Sequence, residues 1–159
     1  MRKNIAIALS VTLLTGLGFS ISAQAEKPEV LIDYRQSVFN IVRWHFKPMG
    51  DMAKGATPFD KAAFAKHAEV VAYLSKQALE GFVDGAGSSA DEQMNSASKP
   101  AIWEKWDDFK TKMESFQTES AALAELTKTG DEAALKAQFG KTGKTCKACH
   151  DDYRVEDKQ

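Results

Sequence analysis

The sequence predicts an all-α fold, an antiparallel, left-handed four-helix bundle. Three observations predict it. Four segments place apolar residues at alternating steps of 3 and 4, no segment shows the period-2 alternation of a half-buried strand, and most links between segments are short. Repeats of this kind turn one seam of each helix toward a shared axis, and helices packed on such seams cross at roughly 20°.

The first segment carries Leu31, Arg35, Val38, Val42, His45, Met49 and Met52 on one seam. The second opens at Asp60, a residue type that caps helix N-termini, and continues through Phe64, His67, Val71, Leu74 and Ala78. Ser98 and Pro100, a cap and first-turn pair, start the third, whose seam is Ile102, Trp106, Phe109, Met113, Phe116, Ser120 and Leu123. Gly130 closes it. Asp131 opens the fourth, with Leu135, Phe139, Thr142, Cys146, Cys149 and Tyr153. The links Gly50 to Pro58 and Gly130 suit antiparallel neighbours. The stretch from Gly81 to Ser98, rich in Gly, Ser and Asp, is longer than a turn requires and reads as a crossover or a flap beside a ligand.

The N-terminus reads as an export signal. Arg2 and Lys3 precede an apolar run from Ile5 to Ile21, and Ala23-Gln24-Ala25 supplies a small-x-small cleavage pattern. Ser10, Thr12, Thr15, Gly16 and Gly18 interrupt the run, whereas a spanning helix needs about 20 apolar residues. Cleavage of residues 1–25 leaves one domain, Glu26 to Gln159, and the expected location is periplasmic. Loss of Arg2 and Lys3 lowers Lys+Arg from 21 to 19 against 22 Asp+Glu, a formal charge of about −3. Near-neutral, interspersed charge excludes an electrostatic footprint for nucleic acid or anionic lipid, and no second apolar run is long enough to cross a membrane.

In an exported chain two cysteines ordinarily form a disulfide. Here they lie three apart and a histidine follows at once, in Lys144-Thr145-Cys146-Lys147-Ala148-Cys149-His150. This is the C-x-x-C-H pattern of haem attachment. Residues three apart share a helix face, so Cys146 and Cys149 can each form a thioether with one porphyrin vinyl group. His150 then lies beneath the iron as its ligand, giving one haem c per chain. A redox dithiol belongs in a βαβ setting, a structural zinc site needs four ligands, and a disulfide within one helical turn is strained. No hydrolytic triad, phosphate loop or carboxylate pair is visible, so an enzyme is not expected.

The motif ends the last helix, as Cys-Lys-Ala-Cys-His-Asp-Asp-Tyr-Arg from Cys146 to Arg154. Together with Tyr34-Arg35-Gln36-Ser37, the run from Met49 to Gly55, Pro58-Phe59-Asp60 and Pro100-Ala101-Ile102-Trp103, it resembles cytochrome c′ and its low-spin cytochrome c-556 relatives over essentially the whole mature chain. The resemblance implies that Phe39 occupies the place over the iron where low-spin relatives put a methionine, leaving the iron five-coordinate. It also implies that Arg35 and Gln36 contact the haem, that Arg154 flanks His150, that Leu79 and Phe82 pack on the porphyrin, and that the first two helices form a homodimer. Met49 and Met52 lie ten or more residues beyond Phe39, about 15 Å along a helix, and are expected in the core; His45 and His67, on inward-looking stripes, are expected as hydrogen-bonded core or interface residues. Two functions stay open: electron transfer with a periplasmic redox partner, and binding of small diatomic ligands such as NO and CO.

Overall fold

The computed structural model describes residues 26–83 and 96–155. The expected leader, residues 1–25, and most of the Gly81 to Ser98 stretch lie outside the described residues. Helices α1 (Pro28–Ala53), α2 (Lys61–Gln77), α4 (Trp106–Thr129) and α5 (Glu132–Tyr153) form the four-helix bundle. A 3-10 turn (Ala78–Gly81) follows α2, and a single helical turn, α3 (Ala101–Glu104), precedes α4. There is no strand among the described residues. One isolated antiparallel bridge joins Ser98 to Arg154.

Asp60 and Asp131 cap their helices as expected. The Asp60 side chain accepts from the amides of Ala62 and Ala63, and that of Asp131 accepts from Ala134. Each satisfies amide groups that have no partner within the helix. Gly130 ends α4 in extended backbone rather than a left-handed turn. Its hydrogen side chain is nonetheless required, since a Cβ there would stand 2.8 Å from the Leu126 carbonyl oxygen. Pro48 sits inside α1. It offers no amide to the carbonyl of Trp44, which lies on an exposed stretch of the helix where water can take its place.

Three expectations are corrected. The third helix is not continuous from Pro100: Lys105 leaves helical geometry (φ −125°, ψ 47°) and separates α3 from α4. Ile102, 2 % exposed, is pulled into the core, while the Trp103 indole donates to the Val83 carbonyl at 2.9 Å, so this turn is fixed by tertiary contacts off the axis of α4. Ser98 does not cap it either, being held in the bridge to Arg154. On α2 the buried seam is Phe64, Ala68, Val71, Ser75 and Ala78, with His67 and Leu74 on its half-buried flank. Small side chains at 68 and 75 let neighbouring helices approach.

Helix α1 packs on α2, α2 on α4 and α4 on α5, while α1 and α5 touch sparingly. Phe64, Val71, Leu123 and Leu135 are fully buried at the centre. Met49 and Met52 lie in this core as expected. Glu119 ties α4 to α5, its side chain accepting from Gln138 at 2.6 Å and its backbone carbonyl accepting from Thr142 at 3.1 Å.

Candidate functional site

The sparse α1–α5 edge opens into a cavity of about 690 Å³, in the size range of small-molecule and cofactor sites, about 300–1,000 Å³. Helix α5 contributes Cys146, Cys149 and His150, and α1 contributes Arg35, Gln36 and Phe39. Phe82 and Arg154 complete the set of expected site residues that line it. Leu79 is the exception. It packs half-buried against the core, because the 3-10 turn presses Gly81 onto α1 and directs Phe82 toward the cavity instead.

The two thiols are half-buried and not joined to each other. Cys146 Sγ donates to the Thr142 carbonyl at 3.6 Å. Burial raises the pKa of Cys146 and pushes that of Cys149 up to about 11, with Lys112 opposing the second shift. Both are therefore thiols, not thiolates, at neutral pH. Burial lowers the pKa of His150, and the positive charge of Arg154 adds to the effect. A neutral imidazole is the form that ligates a metal. The turn carrying these residues is anchored to α4: Tyr153 donates its phenol proton to Asp108 at 2.5 Å, and Lys112 pairs with Asp152 at 3.0 Å.

On the opposite wall, Phe39 meets Phe82 edge-on, with ring centroids 6.4 Å apart. Phe82 is held from behind by Phe109 at 4.9 Å and by the Arg35 guanidinium, 4.8 Å above its ring. Arg35 is 3 % exposed, and burial lowers its pKa to about 10, which leaves it charged at neutral pH. Its partners include the Gly81 carbonyl at 3.3 Å and Ser96 Oγ at 2.8 Å, so protein groups already satisfy part of a charge expected to face haem propionates. A Cβ on Gly81 would stand 2.6 Å from Arg35 Cβ. Gly81→Ala should accordingly lower stability by about 1–3 kcal/mol, the usual cost of overpacking. A denaturant midpoint within error of the wild type would show that the contact yields freely.

His45 and His67 do not line the cavity. They face each other across α1 and α2 with Nδ1 atoms 2.9 Å apart. Sequence reasoning missed Met113, Phe116 and Tyr153 as cavity walls. Their helical spacing marked them as core, and only the third dimension shows which core residues border a void.

These residues fit haem c: two thiols and an imidazole from one turn of α5 face an apolar, aromatic-walled cavity of suitable size. The sequence profile of cytochrome c′ matches residues 30–154, and the chain belongs to the cytochrome c′ family, whose members imply haem c. It is 37 % identical to cytochrome c′ of Halomonas halodenitrificans over 131 residues, covering 82 % of this chain and 99 % of that one. Cytochrome c prime from Shewanella frigidimarina superposes with a TM-score of 0.76 at 41 % identity, covering 84 % of this chain and all of that one. A nitric oxide complex of a variant of cytochrome c prime from Alcaligenes xylosoxidans does so with a TM-score of 0.74 at 34 % identity, again over 84 % and 100 %.

Proposed function

We propose that the chain is an exported mono-haem cytochrome serving electron transfer, with haem attached through Cys146 and Cys149, His150 as the iron ligand and no protein ligand on the Phe39 side. The observation that carries this reading is the pairing of walls across one cavity, Cys146, Cys149 and His150 on α5 against Phe39 on α1. Haem held there would supply a one-electron couple and, with no protein ligand opposite His150, a place for a small ligand. Desolvation and the charge of Arg154 favour the neutral form of His150 that ligates a metal, and Phe39 offers no lone pair.

Export rests on the Ala23-Gln24-Ala25 pattern behind its apolar run; no helix of the described residues is long and apolar enough to cross a membrane. A homodimer through α1 and α2 is supported by exposed apolar side chains there: Val30, Ile41 and Trp44 on one stripe of α1, and Tyr73 on α2. The second reading, capture of nitric oxide, is favoured by the open position and by the nitric oxide complexes of relatives.

An absorption spectrum of the purified protein, oxidised and reduced, tests the proposal. A five-coordinate, high-spin spectrum is expected near neutral pH. A methionine-to-iron charge-transfer band in the far red would overturn it and point to Met113, the thioether that lines the cavity.

A further inference from the structure

Outside the haem cavity, α1 and α2 bring a second pair of metal-ligating side chains together. His45 Nδ1 and His67 Nδ1 stand 2.9 Å apart, on residues 22 apart in sequence. The rings are tilted by 58° with centroids 5.1 Å apart, so they meet nitrogen to nitrogen rather than face to face. Both are half-buried, and neither borders the haem cavity.

We propose that His45 and His67 form a binding site for a divalent late first-row transition ion, Cu(II) foremost, chelated by the two Nδ1 atoms with water completing the coordination. Imidazole nitrogen is the ligand type such ions select, and copper heads the affinity order for a given nitrogen site. With metal–nitrogen bonds of about 2.0 Å, two ligands at 90° stand about 2.8 Å apart and two at the tetrahedral angle about 3.3 Å apart. The observed separation lies at the near end of that range, so the helices need move little to admit an ion. Without metal, one Nδ1–H donates to the other Nδ1, and both rings can instead carry their proton on Nε2 and turn both Nδ1 lone pairs inward. Desolvation lowers the pKa of His67, and the charges of His45 and Lys66 lower it further, so the pair resists becoming doubly cationic. The site joins two helices whose mutual packing forms one side of the bundle.

The test uses the haem-loaded protein, stripped with a chelator and titrated with cupric sulfate. One ion per chain is expected, with an electron paramagnetic resonance signal split by two nitrogens and distinct from the ferric haem signal. His45→Gln and His67→Gln should each weaken binding by at least tenfold while the haem spectrum stays unchanged. A wild-type copper signal without two-nitrogen splitting overturns the proposal, and that measurement requires no variant to fold. Equal affinity in wild type and both variants overturns it as well.

Discussion

Replacing both Cys146 and Cys149 with alanine should abolish covalent retention of haem: acid–acetone should extract it fully from the double variant and not at all from the wild type. The expected effect is all-or-none because the two bonds come from one helical turn. The thiols share the face of α5 that borders the cavity, and no other cysteine exists in the chain. Their high pKa values keep them protonated at rest, so neither is poised to act as a thiolate nucleophile. That distinguishes them from the cysteines of a redox dithiol, whose reactivity depends on a lowered pKa. The mass of the mature wild-type chain should exceed that of the bare polypeptide by one haem. Free extraction of haem from the wild type would remove the basis of the whole functional reading.

The second large effect concerns Phe39. Carbon monoxide should bind the ferrous wild type slowly, and Phe39→Ala should speed association by one or more orders of magnitude. The reason is mechanical support. Phe39 is one end of a relay of packed rings that runs through Phe82 to Phe109 and on to Tyr153, with centroid separations of 6.4, 4.9 and 5.3 Å. Arg35 pins the middle of that relay from above. A ligand on the Phe39 side must displace a ring packed edge-on against Phe82, at a cost on the order of 1–3 kcal/mol if core overpacking is the guide. Each 1.4 kcal/mol is a factor of ten. Flash photolysis of both proteins measures this directly. Equal rates would mean that Phe39 does not stand between the solvent and the iron.

What the sequence made legible was what is decided locally. Asp60 and Asp131 cap because a short carboxylate can reach amides two or three residues on, and that reach is written in the chain itself. Cys146, Cys149 and His150 were legible for the same reason, since three bonds to one group fix their spacing within a single turn. Where the decision is tertiary, the pattern misled. A period of 3.6 admits steps of 3 or 4, and on α2 the choice fell to Ala68 and Ser75 over His67 and Leu74 because smaller side chains suit a close helix contact. No residue around Lys105 announces the break before α4; the pull of Ile102 into the core and of Trp103 toward Val83 makes it. Gly81 read as the start of a loop, whereas its role is to let backbone press onto Arg35. The phenol–carboxylate bond between Tyr153 and Asp108 spans 45 residues, and neither residue signals the other.

The thin contact between α1 and α5 has a consequence for motion. The α1–α2, α2–α4 and α4–α5 pairs pack closely, so parting them would expose fully buried residues such as Phe64 and Leu123. Along the α1–α5 edge few direct contacts cross, and the facing residues line the cavity instead, so haem bound there would supply the join between the first and last helices. Partial opening of a protein is drawn from the segments with the fewest buried contacts, so the chain without haem should breathe there first, like a book opening opposite its spine. The spine is the α2–α4 contact, and the page edge is the mouth of the haem cavity. A haem held by α5 and packed against α1 would act as the clasp on that page edge, and the haem-free chain should open there more readily than the loaded one.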